Sequence, residues 1–238
     1  MQMQKIWMAV MAVAMMVGSA QAFIVVEHTG ANDPPTEGFN ANGDAGLGSA
    51  VTDGGTAAWK VLDDQPTELS YGYALSAEES SAARNDGFTM RANVRLPIVG
   101  MPIQSNPFVH IRFDGDKRYF LRWGTENSGA VNVQLLGTGS NTQELGVTTD
   151  DYALYEVTYD GDTNEAQLYV NGSTVGNGVL PMIDGGTNII TWGSGASTGH
   201  PAGEGNFSLL NLDINNIPEP ASLALIGFGG LALLARRR

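Results

Sequence analysis

Residues Phe88 to Leu96 alternate without a break between apolar and polar side chains, and no other stretch restricts the possible folds as strongly. The apolar positions are Phe88, Met90, Ala92, Val94 and Leu96, and the positions between them are Thr89, Arg91, Asn93 and Arg95. A period of two places successive side chains on opposite faces of an extended chain. The stretch therefore predicts a β-strand with one face in a core and the other facing outward.

Turn sequences separate many other short apolar runs of the chain. Tight turns are predicted at Asp114–Lys117, Asp160–Asn164 and Asn171–Gly172, because each lies between alternating arms. No helical period extends over a dozen residues, and the nearest candidate is Ser76–Arg84, which is long enough for two turns. Gly30–Gly55 is rich in Asn, Asp, Pro and Gly and is predicted to form irregular loops.

The pattern predicts about ten to twelve strands and an all-β, antiparallel β-sandwich. The predicted strands are Phe23–Val26, Trp59–Asp64, Leu69–Leu75, Phe88–Leu96, Phe108–Asp114, Lys117–Trp123, Val131–Leu136, Tyr155–Tyr159, Glu165–Val170, Thr187–Trp192 and Phe207–Ile214. The chain contains no cysteine, so such a domain must be stable without disulfides.

The first 22 residues have the organisation of a secretory signal peptide. Lys5 is the only charge before an apolar run from Ile6 to Val17. Ala20 and Ala22 form an A-x-A site, so cleavage after Ala22 is expected. An uncleaved anchor helix is the alternative, but the apolar run is short for a membrane span.

Residues 217–238 have the pattern of a second membrane segment. Pro218, Glu219 and Pro220 precede an apolar run from Ala221 to Ala235, and three arginines follow. The run has 15 residues, fewer than the roughly 20 that span a bilayer, although the arginines can snorkel toward the headgroups. A cluster of positive charge stays on the cytoplasmic side, so the body of the chain is expected outside.

The order of Pro-Glu-Pro, short apolar helix and terminal arginines resembles the PEP-CTERM sorting signal of exopolysaccharide-producing Gram-negative bacteria. The resemblance assigns the sorting motif to Pro218, Glu219, Pro220, Arg236, Arg237 and Arg238. It implies cleavage near Pro218–Pro220 by an exosortase, after transient anchoring in the inner membrane. The final location would be the cell surface or extracellular matrix. The alternative is a plain C-terminal membrane anchor.

The charge distribution argues against a nucleic-acid partner. The chain carries a net charge of −13, and nucleic-acid binding depends on neutralising phosphates. Seven of the twelve basic residues nevertheless lie between Arg84 and Arg122, where there are three acidic residues, so this segment has a net charge of +4. It forms either a positive patch suited to an anionic surface or polysaccharide, or ordinary arginines paired with acids from elsewhere.

The strands and turns resemble those of concanavalin A-like and laminin G-like jelly rolls. The resemblance covers roughly Ala57 to Ile214. It rests on Trp59 with Asp63, the strands Tyr71–Leu75 and Gly87–Leu96, the Asp114–Tyr119 turn, and the hairpin Tyr152–Gly172. It implies sugar binding or adhesion, although several members of this class are structural. The predicted organisation is a signal peptide at 1–22, an N-terminal strand and loops of the sandwich at 23–56, the sandwich at 57–216, and the sorting segment at 217–238.

Motifs for enzymatic activity are missing from the sequence. The Glu-x-Asp-x-x-Glu spacing that glucanases of this fold use for paired carboxylates does not occur. His28, His110 and His200 form no metal-binding motif, and no nucleophile elbow is present. We therefore expect a protein that is not an enzyme. A hydrolase with an unrecognised pair of carboxylates is an alternative.

No cofactor is expected, although the sequence leaves one weak candidate for calcium. Asp160, Asp162 and Asn164 match the first ligand positions of an EF-hand loop. Glu165 stands where that loop requires glycine, so a hairpin turn is the favoured interpretation.

Aromatic side chains are candidates for stacking against a sugar ring. Trp123, Trp192, Tyr71, Tyr73 and Phe120 are possible platforms, with core packing as the alternative for each. Strand alternation places an outward set on neighbouring strands, and with Trp123 this set is the candidate ligand site: Arg91, Arg95, Arg112, Arg118, Phe120 and Arg122. The predicted function is association of an exported sandwich with polysaccharide. A structural matrix protein without a specific ligand is the main alternative.

Overall fold

The computed structural model describes residues 23–63, 68–98, 107–125, 131–138, 141–144, 151–195 and 203–215. Within these ranges the chain forms sixteen strands in two antiparallel sheets, and one α-helix. Sheet A contains β1 Phe23–Thr29, β3 Gly48–Asp53, β4 Thr56–Asp63, β6 Phe88–Ile98, β11 Ala153–Asp160, β12 Glu165–Val170, β13 Ser173–Val179 and β16 Gly203–Ile214. Sheet B contains β2 Asn40–Gly43, β5 Leu69–Ala74, β7 Phe108–Phe113, β8 Lys117–Thr125, β9 Val131–Leu136, β10 Asn141–Glu144, β14 Met182–Ile183 and β15 Ile189–Gly193.

The strand order differs from the chain order in both sheets. Sheet A runs β13-β12-β11-β6-β16-β4-β3, and β1 also pairs with β16. Sheet B runs β10-β9-β8-β7-β15-β5-β2, and β14 also pairs with β8. The two sheets form the predicted antiparallel sandwich.

The core lies between the two sheets and is built from alternate residues of their strands. All five apolar residues of the alternating stretch Phe88–Leu96 are buried, as the period of two predicts. Trp192 of sheet B packs against Phe207 of sheet A, with ring centroids 4.8 Å apart. Large aromatic rings from both sheets therefore join the two layers.

The prediction of irregular loops over Gly30–Gly55 is wrong in part, because β2 and β3 lie inside that segment. All four residues of β2, Asn40–Gly43, are exposed, and β3 forms an end of sheet A. Such strands need no apolar alternation, so their composition resembles that of loops. The sequence also gave no prediction for β10, β13 and β14.

The helix α1, Ala77–Asp86, connects β5 of sheet B to β6 of sheet A. Ser76 caps its N-terminus: the Ser76 hydroxyl accepts from the amide of Glu79, and the Glu79 carboxylate accepts from the amide of Ser76. This reciprocal capping box satisfies two backbone donors of the first turn. The predicted two-turn helix at Ser76–Arg84 is confirmed within two residues at each end.

Two predicted hairpin turns are confirmed by their backbone angles. Asp114 and Gly115, between β7 and β8, have φ values of 58° and 73°. Asn171 and Gly172, between β12 and β13, have φ values of 48° and 78°. Consecutive positive φ angles are the mark of the tight turn that matches strand twist, and Asn-Gly and Asp-Gly favour it.

The chain enters and leaves the sandwich at the same place. Phe23 of β1 pairs with Ile214 of β16. Asn215 then donates its backbone N–H to the Gly87 carbonyl at 3.1 Å and its side-chain Nδ2 to the Asp86 carbonyl at 2.9 Å. Gly87 has φ +88°, and a Cβ there would collide with the Tyr159 carbonyl oxygen, so only glycine fits this corner.

The predicted terminal segments, 1–22 and 217–238, lie outside the described residues. In the part of the chain that the structure describes, no helix has the length and apolar character needed to cross a membrane.

Candidate functional site

The outer face of sheet B carries a connected set of polar and aromatic side chains, which we call the sheet B face. Val109, Ile111, Tyr119, Leu121 and Trp123 point into the core, so the residues between them point outward. The sheet B face comprises Phe108, His110, Arg112, Arg118, Phe120, Arg122, Asn132 and Gln134. Strand register sets Arg112 opposite Arg118, His110 opposite Phe120, and Arg122 opposite both Phe108 and Gln134.

Arg112 and Arg118 share one counter-ion. Arg112 Nη2 lies 3.1 Å from Asp184 Oδ2, and Arg118 Nη1 lies 2.5 Å from the same oxygen. Asp184 follows β14, which pairs with β8, so this pairing brings its carboxylate to the two arginines. Like charges directly opposite each other in a sheet are destabilising, and one carboxylate balances only one of the two.

His110 is a buried polar group on this face. It is 9% exposed, and its Nε2 has no hydrogen-bond partner among the described residues. Burial, together with the charges of Arg112 and Arg118, lowers the pKa of His110 to about 3. The imidazole is therefore neutral at ordinary pH, and it offers a donor or an acceptor but no charge.

Asn132 is a second buried polar residue whose side chain is unpartnered. It is 0% exposed, and within the described ranges neither its Oδ1 nor its Nδ2 has a hydrogen-bond partner. It lies opposite Gly124 of β8, which has no side chain to cover or bond it. A buried amide without partners costs about 1–3 kcal/mol, so Asn132 lowers the stability of this face, and because it is fully buried it does not itself contact a ligand.

Aromatic rings lie between these polar groups. Phe108 and Phe120 are stacked, with ring centroids 5.0 Å apart and an interplanar angle of 22°. His110 lies 5.7 Å from Phe120. Beside them, Arg122 donates Nε and Nη2 to Gln134 Oε1, at 2.8 and 2.6 Å. The sheet B face thus combines an apolar platform with hydrogen-bonding groups on both sides of it, a combination typical of ligand sites.

The predicted cluster of outward arginines is wrong as a single patch, because the two sheets divide it. Arg91 and Arg95 lie on β6 of sheet A, whereas Arg112, Arg118 and Arg122 lie on sheet B. The outer faces of a sandwich point in opposite directions, so no one ligand surface includes all five.

The arginines of sheet A are paired with acids from distant parts of the chain. Arg91 binds Glu156 at 2.7 Å and also binds Asp213, and Arg95 binds Asp53. Burial alone would lower the pKa of Arg91, but its hydrogen bonds to Asp213 and Glu156 raise it. The alternative interpretation, ordinary strand-face arginines with acidic partners, is confirmed for this sheet.

The large aromatic rings proposed as platforms fill the core, with two exceptions. Trp123 and Trp192 are 0% exposed and Tyr71 is 2% exposed, so the prediction of Trp123 as a ligand-binding residue is wrong. Trp123 packs edge-on against Tyr155 of sheet A, 4.9 Å between centroids. Phe120 remains partly exposed on the sheet B face, and Tyr73 is partly exposed but packs against the core.

The candidate calcium ligands form a hairpin turn instead of a metal site. Asp160 Oδ1 accepts from the amide of Asp162 at 2.9 Å. Asn164, with φ 58°, accepts at its Oδ1 from Lys117 Nζ and from the Tyr159 hydroxyl, both at 3.0 Å. The lysine ammonium and the tyrosine hydroxyl thus occupy the side-chain oxygen that Asn164 would offer to a cation. Among the described residues, no three His, Asp or Glu side chains are grouped to hold a metal.

A pair formed by the buried His28 and the partly buried Glu37 could not be predicted from the sequence pattern. His28 is 0% exposed and stacks on Trp192 at 4.8 Å, and its Nδ1 lies 2.6 Å from Glu37 Oε2. Burial lowers the pKa of His28 despite the carboxylate beside it. Glu37 also accepts from the Thr29 amide and from Asn32, so the pair fixes the end of β1 to the turn that follows.

Residues 216–238 match the PEP-CTERM protein-sorting motif. This chain carries a PEP-CTERM sorting signal. The prediction made from Pro218–Pro220 and the terminal arginines is therefore confirmed, and such a signal belongs to an exported protein. No curated protein matches the chain in sequence.

Solved structures support the fold assignment. A carbohydrate esterase from Shiga toxin-encoding bacteriophage phi24B is 11% identical, with a TM-score of 0.61, over 82% of this chain and 100% of the esterase chain. Domain 4 of AbnA, an extracellular arabinanase from Geobacillus stearothermophilus solved with arabinotriose, is 10% identical, with a TM-score of 0.53, over 83% and 95% of the two chains.

A structure of botulinum neurotoxin type C is 8% identical, with a TM-score of 0.52. Cell entry of that toxin depends on interaction with two ganglioside molecules. That match covers 82% of this chain and 48% of the toxin chain. The predicted jelly-roll architecture is confirmed. At these identities the likeness establishes the fold and not the activity.

Proposed function

We propose that this protein is a non-catalytic component of the cell surface or extracellular matrix whose sandwich associates with polysaccharide through the sheet B face. The sorting signal supports delivery to the surface, with an exosortase as the processing partner. The single observation that carries the binding proposal is the partly exposed ring of Phe120, which lies between Arg118 and Arg122 on the outer face of sheet B. The ring offers an apolar surface and the guanidinium groups offer hydrogen-bond donors, which together suit a hydroxyl-rich ligand.

The aromatic platform supports the same proposal. A sugar ring has an apolar face, and the partly exposed ring of Phe120, supported from within by the stacked ring of Phe108, offers a matching surface. Arg122 and Gln134, at one side of the platform, supply donors and acceptors for hydroxyl groups. The arabinanase domain solved with arabinotriose and the toxin that depends on gangliosides share this fold, which is consistent with a sandwich that holds sugars.

A polysaccharide array tests the proposal with the full chain and two variants. Phe120→Ala removes the platform, and Tyr169→Ala removes an aromatic side chain from sheet A. We expect saturable binding to at least one polysaccharide, and a loss of about tenfold in Phe120→Ala, since stacking and apolar contact contribute about 1–2 kcal/mol. Tyr169→Ala should bind as the unmodified chain does.

Two outcomes would contradict the proposal. Absence of saturable binding to any polysaccharide would favour the structural matrix protein without a ligand. Release of shortened sugar chains during the assay would favour the hydrolase, and exchange of each candidate Asp or Glu for its amide would then identify the catalytic pair.

A further inference from the structure

The sheet B face holds two arginines for one carboxylate, and this excess of positive charge bears on what it binds. Asp184 is the only carboxylate within 4 Å of Arg112 or Arg118 among the described residues. The Nε atoms of both arginines are buried and have no hydrogen-bond partner in the part of the chain that the structure describes. The two arginines therefore carry one more positive charge than Asp184 balances, and their Nε donors lack acceptors.

The excess of positive charge at Arg112 and Arg118 contrasts with the charge of the rest of the molecule. The chain carries a net charge of −13, and the arginines of sheet A are matched by Glu156, Asp213 and Asp53. A body of this charge repels polyanions in general, so an anionic ligand is attracted only where positive charge is locally in excess. The Arg112–Arg118 pair is such a place.

Spacing along β8 connects the arginine pair to the aromatic platform. Arg118, Phe120 and Arg122 are alternate residues of one strand, so their Cα atoms lie about 7 Å apart in succession. His110 lies beside Phe120 on the neighbouring strand β7, and because it is neutral it neither adds to nor cancels the charge of the arginine pair. A sugar ring on Phe120 therefore has the arginine pair on one side and Arg122 on the other.

From this arrangement we infer that the polysaccharide is acidic, with a carboxylate or sulfate group that binds Arg112 and Arg118 while a sugar ring stacks on Phe120. The inference rests on the proposed function and narrows its ligand class. Guanidinium groups suit this role because their planar donors match the oxygens of such an anion. The bound anion would supply the second negative charge that the pair lacks.

Binding of polygalacturonate and of neutral dextran to the full chain tests the inference. We expect polygalacturonate to bind more tightly than dextran, and its affinity to fall as salt rises from about 0.05 M to about 0.5 M, since salt screens charge. Arg112→Gln and Arg118→Gln should each reduce polygalacturonate affinity by about tenfold or more, because a hydrogen bond to a charged group is lost.

Two further variants make the prediction specific. Asp184→Asn removes the competing carboxylate and should increase polygalacturonate affinity several-fold. Arg95→Gln removes one arginine from the opposite sheet and should leave affinity unchanged. Thermal unfolding of each variant verifies that it is folded.

The possible failures are distinguishable. If dextran binds as tightly as polygalacturonate and none of the charge variants matters, the inference is wrong and the proposed function stands. If neither polymer nor any other polysaccharide binds, both are wrong. If Asp184→Asn weakens polygalacturonate binding in a folded protein, the assigned role of the arginine pair is wrong.

Discussion

At the scale of single residues, the molecule keeps two histidines away from solvent, and both make its stability depend on pH. His110 lies on the sheet B face, and His28 lies in the core against Trp192. Burial lowers the pKa of each below its ordinary value of 6.5. As pH falls through 6.5, the unfolded chain takes up protons that the folded chain does not, so folding becomes less favourable.

His110 provides the measurable case, since its pKa is lowered to about 3. Between pH 7 and pH 5 its contribution should reduce the free energy of unfolding by about 2 kcal/mol. The prediction is checked by urea unfolding at both pH values for the unmodified protein and for His110→Gln. The loss on acidification should be about 2 kcal/mol smaller in the variant, and equal losses would contradict the prediction. His28 is present in both proteins, and its own contribution therefore cancels.

At the scale of secondary structure elements, the sequence predicted the interior strands well and the outlying ones poorly. Val131–Leu136 and Glu165–Val170 have the predicted bounds, because apolar alternation there reflects a buried face. Edge strands such as β2 bury no side chains, so their sequences show no alternation of apolar and polar residues. Asn132 and Gln134 could have been predicted to face outward from the alternation of Val133 and Leu135.

Assignment of strands to sheets could not be read from alternation. The alternation of apolar and polar residues indicates which side chains lie on the same face of one strand, but it does not indicate which strands belong to the same sheet. The chain crosses from sheet A to sheet B between β6 and β7, and that crossing separates Arg91 and Arg95 from the other arginines. Asp184 joined the site through the pairing of β14 with β8, a contact between segments more than sixty residues apart in sequence.

The capping box of α1 is the element-level feature with a direct stability prediction. Ser76→Ala removes the acceptor for the Glu79 amide and should lower the free energy of unfolding by about 1 kcal/mol. Ser81→Ala, at an exposed position within the same helix, is the matched control. Because alanine is the better helix former, the control should be neutral or slightly stabilising. Equal losses of unfolding free energy in the two variants would mean that the capping box does not stabilise the protein.

At the scale of the whole molecule, the sorting signal follows the folded domain almost without a spacer. Asn215 is hydrogen-bonded to Asp86 and Gly87, and Pro218 is only three residues further along. At most about 3.6 Å per residue separates them, so Pro218 lies within about 11 Å of Asn215. A cleaving enzyme that requires an extended segment around Pro218–Pro220 must first loosen this end of β16.

Lengthening this connection should therefore speed processing. A flexible insert of about ten Gly and Ser residues between Asn215 and Asn216 should raise the processed fraction several-fold at early times, measured by immunoblot in a host that sorts such proteins. The same insert between Gly54 and Gly55, in the exposed turn before β4, serves as the control and should change nothing. Equal processing of all three chains would show that the folded end offers no obstacle.

The pairing of Phe23 with Ile214 also bears on how several copies of this protein would act on one polymer. Phe23 and Ile214 are paired, so the segments before and after the described domain join it at one place. Copies held side by side through that place would bring several sheet B faces to one long polymer. Each copy could then bind a few sugars weakly, and the high effective concentration of neighbouring copies would still give strong overall binding by avidity. Dissociation of the polymer would require many of these weak contacts to break at the same time.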